Sequence, residues 1–217
     1  MTTYNFATEV GVTPTTQTWE LVTNTRTFQS PLTNAVQTTT RKGSYWKTTA
    51  TFNNLTGADR ANMQAFLAKL DGQVHRIYLT DYGYDRLGNA PDSDSVTDLK
   101  VKGADQTGAS VIADGAELST SDYFKAGDYV AFNNEFHIVT ADCDTTGLGE
   151  FTHVDHNGVT QSGIPIAPPL RKSPDDNDPI NFVTPLAVMI VTSTASWDTR
   201  PGKISNFKIE AIEDVLA

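Results

Sequence analysis

The sequence predicts a mainly β protein built as two bodies, the second inserted into the first, and three observations carry that prediction. Thr, Asn, Asp and Gly are common beside modest Lys and Glu, a usage that favours strands and turns over helices. Short β-forming runs recur between turn signals along most of the chain, and a single stretch has convincing helical periodicity. The most apolar run, Ala187 to Val191, follows the short central strands, so the first body needs it as a closing, two-sided core strand. A chain of 217 residues is long enough for one large or two small domains, each burying a core.

The N-terminal elements are read in order. Thr18 to Asn24 mixes β-branched and aromatic residues with polar ones, and Thr27-Phe28 continues it until Ser30-Pro31 breaks the run. Asn34 to Thr40 alternates Ala35, Gln37 and Thr39 against Val36, Thr38 and Thr40, with little apolar character on either face. That pattern predicts a sheet edge or a contact surface, with the next strand as its core partner. Asn34, Val36, Thr38 and Thr40 are therefore the candidate oligomer-interface residues; pairing at an edge inside one subunit is the alternative. After the turn signal Lys42-Gly43, Ser44 to Asn53 places Trp46, Thr48, Ala50 and Phe52 on one face. Gly57 to Leu70 is the predicted helix, capped by Thr56, with Asp59 in its first turn and Gly72 as its stop. Met63, Phe66, Leu67 and Leu70 fall at i, i+3, i+4 and i+7 and form its core stripe. Gln73 to Thr80 returns as a strand.

From Asp81 to Ser95 turn formers dominate and predict a linker. Beyond it, Asp98 to Val101 and Ala109 to Ala113 read as short strands. Phe124 to Val139 reads as a hairpin opened by Gly127-Asp128 and turned at Asn133-Asn134, where both residues can take positive φ. Glu150 to Asp155 and Gly163 to Ala167 add two further strands, which Pro168-Pro169 is expected to end. Such spacing predicts a small barrel or sandwich. A second turn-rich stretch, Lys172 to Pro179, precedes strands at Ile180 to Val183, Leu186 to Ser193, Ser196 to Arg200 and Lys203 to Ile212. The bodies are thus residues 1–95 with 172–217, and residues 96–171.

Composition excludes some functions. A net charge of −10 without a basic run argues against stable nucleic-acid binding, which rests on Lys and Arg displacing counterions. No run approaches the ~18 apolar residues of a membrane helix, and the first residues lack the basic and apolar segments of a signal peptide, so a soluble chain without membrane association is expected. Cys143 is the single cysteine and suits assembly in a reducing cytoplasm as a structural or idle thiol.

Several constellations hint at chemistry and none is specific. His153-x-x-His156 beside Asp155 lacks a third zinc ligand nearby. Asp142-Cys143-Asp144, Asp81 to Asp85 and Asp175-Asp176-Asn177-Asp178 offer oxygen ligands but match no calcium loop. Tyr82, Tyr84 and Tyr123 could stack on a sugar. No catalytic residue, cofactor or metal site is assigned, and no enzyme is expected.

The segments Phe28-Gln29-Ser30-Pro31-Leu32-Thr33, Gly43 and Trp46, Ala65-Phe66-Leu67 with Leu70-Asp71-Gly72, Gly103-Ala104-Asp105-Gln106-Thr107-Gly108, Lys125-Ala126-Gly127-Asp128-Tyr129 and Ile166-Ala167-Pro168-Pro169-Leu170-Arg171 follow one another along the chain as an ordered series. By the order and spacing of these segments over nearly its whole length, the chain resembles the distal tail proteins of long, non-contractile-tailed phages and related prophages. The resemblance implies a β-sandwich ring domain with one amphipathic helix and an inserted, OB-like small β-barrel on the outside. It further implies a structural virion protein at the distal end of the tail, a homohexameric ring whose partners are its own copies, the tail tube protein and the tail-tip hub protein. The ring would support fibres or receptor-binding proteins and leave a bore for DNA, whose wall is expected to be acidic or neutral. Glu150 to Ser162 is longer and more polar than the series predicts. A carbohydrate-binding adhesion module is the alternative reading, and an acid-base hydrolase a more remote one.

Overall fold

The computed structural model describes residues 1–90 and 99–216. The boundary expected at residues 95 and 96 lies outside them. The described residues are mainly β with two helices, and no sheet among them closes into a barrel.

The larger sheet collects β1 (Thr3–Asn5), β2 (Thr16–Val22), β5 (Tyr45–Leu55), β6 (Arg76–Leu79), β16 (Ala187–Val191) and β18 (Ile204–Glu213) in the order β1-β6-β16-β18-β5-β2, with β17 (Trp197–Arg200) flanking β18. Only β1 and β6 run parallel. The register puts the period-two face read from the sequence inward. Trp46, Thr48, Ala50 and Phe52 on β5 are buried and lie beside Phe207, Ile209, Ala211 and Glu213 of β18. β16 sits between β6 and β18, which explains its apolar run: Ala187, Val188, Met189 and Val191 are all buried.

Two helices cover part of that inner face. The predicted helix is α2 (Gly57–Lys69), and Met63, Phe66, Leu67 and Leu70 are buried in one cluster with Phe6, Phe52 and Ile77. The Thr56 side chain makes no cap hydrogen bond, contrary to expectation, so the first turn is favoured by Asp59 at its positive end. The first helix, α1 (Phe6–Val10), was not foreseen. Asn5 Oδ1 accepts from Ala7 N at 3.1 Å to start it, and Gly11 at φ +71° stops it.

The second body centres on the anticipated hairpin. β10 (Tyr129–Phe132) and β11 (Glu135–Val139) pair around Asn133 and Asn134 at φ +48° and +59°, the double positive φ of a type I′ turn. β15 (Ile164–Leu170) and β8 (Gly108–Val111) extend them into a four-stranded sheet. β12 (Cys143–Thr145), β13 (Phe151–Val154) and β14 (Thr160–Ser162) form a second sheet, and β7 (Lys100–Val101) pairs with β9 (Ala113–Asp114). Two expectations fail here. Pro168-Pro169 does not end its strand, because β15 shifts register against β8 between Pro165 and Leu170 and tolerates residues without an N–H. Ile180 to Val183 forms no strand; it contributes a bridge at Asn181 to Ala131 and buries Ile180 and Phe182.

The two cores interlock. Ile180 and Phe182, read from the sequence with the C-terminal strands, belong to the second core, whereas Ala131 and Phe136 of the central hairpin pack in the first. The stretch expected to be a linker is anchored over its described part. The Asp128 carboxylate is buried and accepts from Leu87 N at 2.7 Å, Gly88 N at 3.0 Å, Lys125 N at 2.8 Å and the Tyr84 hydroxyl at 3.0 Å.

Candidate assembly surface

Among the described residues, one two-stranded ribbon contributes no side chain to either core. β3 (Thr25–Gln29) pairs with β4 (Val36–Thr40), and all five residues of each strand are exposed. This corrects the expected pairing of Asn34 to Thr40 with Ser44 to Asn53, for β5 is already flanked by β2 and β18. The ribbon is the far half of one long hairpin. Val22 is opposite Tyr45 at the end of β2, and Thr25 is opposite Thr40 at the start of the arm. Between these pairs one side has two residues and the other four, a bulge that redirects the ribbon. Gly43 takes φ +106° there, Arg41 N donates to Asn24 O at 2.9 Å, and Asn24 Nδ2 donates to Lys42 O at 3.0 Å.

Opposed residues of an antiparallel pair share a face, so the arm has two distinct sides. Val36, Thr38 and Thr40 lie with Gln29, Thr27 and Thr25 on one; Gln37 and Thr39 lie with Phe28 and Arg26 on the other. Asn34 is at the tip with φ +54°, where its N–H donates to Ser30 O at 2.9 Å. Three of the four candidate interface residues thus form one uncharged, mostly β-branched surface, and the fourth shapes the turn. Phe28 is 60% exposed, Val36 59% and Leu32, at the tip, 94%. The sequence reading missed the opposing strand as part of this surface. The available signal was charge, because no acidic residue occurs between Glu20 and Asp59.

At the other extreme stands the joint between the two bodies. The Glu213 side chain is fully buried and holds Arg171 through two bonds of 2.7 Å, while its oxygens also accept from Trp46 N at 3.0 Å and Phe136 N at 3.1 Å. Trp46 Nε1 donates to Phe136 O at 2.8 Å, and Arg171 Nη1 to Ser44 O at 3.1 Å. Beside them Glu135 accepts from Arg171 N at 3.2 Å and Lys172 N at 3.0 Å, with the buried His137 ring 3.5 Å away. Burial pushes the Glu135 carboxyl up, but the His137 contact and the Arg171 guanidinium outweigh it and hold it below the usual carboxylate range. Sequence reading had no signal for this network, in which Trp46 and Glu213, directly hydrogen-bonded, are 167 residues apart in the chain.

The other sequence candidates have structural surroundings. Cys143 is buried, its Sγ donating to Ala141 O at 3.3 Å; burial and the nearby carboxylates of Asp142, Asp144 and Asp128 push the thiol up to about 12, so it is protonated at neutral pH. His153 Nδ1 is 2.9 Å from Gly163 O, and His156 lies in an exposed turn held by Asp155, which accepts from Asn157 N and Val159 N at 2.9 Å. Asp142 and Asp144 accept from Ala126 N and Asp122 N and rim a cleft of about 400 Å³ with Asp122 and His153. Asp81 and Asp176 accept from Gly83 N and Gly103 N. Among the described residues, no group of three or more His, Cys, Asp or Glu is placed to hold a metal ion. Of the three tyrosines considered for sugar stacking, Tyr123 is fully buried, Tyr84 donates to Asp128, and Tyr82 packs edge-on to Phe6 at 6.5 Å. Among the described residues, no helix is long and apolar enough to cross a membrane. Compared with protein-family models and with curated proteins, the chain matches none.

Proposed function

We propose that this chain is a structural subunit of a phage tail tip, a distal-tail-type protein that assembles into a ring between tail tube and tip hub. The observation that carries the reading is the arm formed by β3 and β4. A two-stranded ribbon is marginal in water by itself, and this one has no core under either face. Docking it on another subunit would bury Leu32 at the tip and either Val36 or Phe28, according to the face engaged, each worth roughly 1.5–3 kcal/mol as an upper estimate. In this reading the large-sheet body is the β-sandwich ring domain and the second body is the outer, OB-like barrel, fixed at a set angle by the Glu213–Arg171 joint. The ring contains about six copies, as the resemblance implies; it leaves a bore for DNA and offers receptor-binding components a platform. Its role is assembly, without catalysis, cofactor or metal.

Mass photometry and negative-stain imaging of the full chain test the proposal. The expected result is a closed ring near six times the 23.6 kDa subunit mass, and a variant with Thr25 to Thr40 replaced by a tight turn remains a folded monomer. A strict monomer of the unaltered chain at high concentration overturns it.

A further inference from the structure

We infer that the arm is a basic plug for the acidic body of an adjacent copy, and that its charge selects head-to-tail association over symmetric pairing; this rests on the ring-forming reading above. The stretch Thr23 to Ser44 carries Arg26, Arg41 and Lys42 and no acidic residue. With the whole chain at −10, an arm at +3 leaves −13 on the remainder. Residues 41 and 42 sit at the root of the ribbon and Arg26 on one of its faces, all exposed. None of the three forms an ion pair among the described residues, although Lys69, Lys102, Lys125 and Lys208 elsewhere each do. The arm's three cations are thus exposed, unpaired among the described residues and gathered on a segment without a single carboxylate.

Symmetry decides what such a charge can meet. In an isologous dimer built arm to arm, the same patch faces itself and places +3 against +3. In a heterologous contact the arm meets a different surface, and the surface with opposite sign is the body. Heterologous contacts propagate around a closed ring when the rotation permits. Complementary charge also steers encounter and penalises the wrong register, which uncharged Thr faces alone would specify weakly.

The test is sedimentation velocity of the full-length chain in ~0.1 M NaCl, where the Debye length is ~10 Å. The variant R26Q/R41Q/K42Q is expected to need roughly tenfold or more protein for half-assembly, three exposed charge contacts being removed. The charge-keeping variant R26K/R41K/K42R is expected to assemble like the parent. In ~1 M NaCl, with a Debye length of ~3 Å, the difference between parent and neutral variant is expected to shrink. Thermal unfolding of both variants should match the parent, since the three side chains are solvent-facing. Equal assembly of the parent and the neutral variant at low salt would overturn the inference while leaving the ring intact. So would a parent that stops at a symmetric dimer. A parent that stays monomeric under all conditions removes the ring reading and this inference together.

Discussion

The arm and the joint are opposite solutions to the same problem of a polar backbone in a folded chain. In the arm every strand residue faces water, and among the described residues the ribbon is held by its own ladder and the hydrogen bonds at its tip and root. In the joint a carboxylate with no exposed surface has four donors, two of them backbone N–H groups from different bodies. Breaking the joint at Glu213 therefore strands a buried charge, whereas a change in the arm removes no buried contact. Substitutions should therefore separate cleanly into those that unfold the subunit and those that leave it folded but unable to assemble.

The largest expected effect is at Glu213. Glu213→Ala leaves Arg171 buried without its partner and strips the acceptor from Trp46 N and Phe136 N, which should cost about 3–5 kcal/mol in urea unfolding. A loss under about 1 kcal/mol would mean that the joint is far wetter than its geometry. The same bond network bears on the inserted body as a unit. Removing residues 96–171 also removes Arg171 and Phe136, so a truncated ring domain needs Glu213 replaced as well.

Gly88 should come next. A Cβ built there would lie 2.4 Å from Tyr123 O and 2.8 Å from both Asp128 Oδ2 and Phe124 Cα, mostly rigid backbone. Gly88→Ala must displace the 81–90 stretch from Asp128 and is expected to cost about 1–3 kcal/mol, the range of overpacked cores. Gly127→Ala is the useful contrast: its nearest contact is the flexible Leu87 side chain at 3.7 Å, so only its φ of +106° opposes the substitution.

How much of this was legible depended on whether the signal was local. The hairpin at Tyr129 to Val139, the inward face of β5 and the stripe of α2 are periodicities and turn residues, and the structure has them where the sequence suggests. α1 escaped because five residues give too short a period to see, although Asn5 and Gly11 mark its ends. Pro168-Pro169 misled because a proline rule for central strands was applied at an irregular pairing. Of the surface, the strand containing Val36, Thr38 and Thr40 was recognisable as unsuited to a core. Its partner β3 was not recognised, because pairing register is set by a bulge at residues 41–44 that only Gly43 hints at. The joint was illegible for a plainer reason: each of its charges looks like an ordinary surface residue until the fold encloses it.

A smaller effect is expected from pH at Glu135. Its carboxyl is held lower in the folded state than its value of 4.5 when unperturbed, so the stability it contributes is present above that value and lost as pH falls through the lower folded one. Thermal midpoints should be flat with respect to this group from pH 8 down to about 5 and decline below about 4.5. Glu135→Gln should lower the midpoint at pH 7 and flatten the acid limb. An acid limb identical in the two proteins would show that Glu135 does not hold the joint.

The smallest stability effect, and the largest effect on assembly, belongs to the arm. Thr38→Asp places a carboxylate in the middle of the Thr face, opposite Thr27, where both residues are exposed and no core contact is lost. Its unfolding free energy should therefore stay within about 0.5 kcal/mol of the parent. If the face is buried against another subunit, the same carboxylate must be desolvated without a partner, and assembly should fail. Thr39→Asp, on the opposite face, separates a one-sided contact from a clamped ribbon. Assembly lost only with Thr38→Asp assigns the interface to the Thr face, whereas loss with both means that the neighbour encloses the arm. Full assembly of both variants, measured by mass photometry, would leave the exposed ribbon without the role proposed for it.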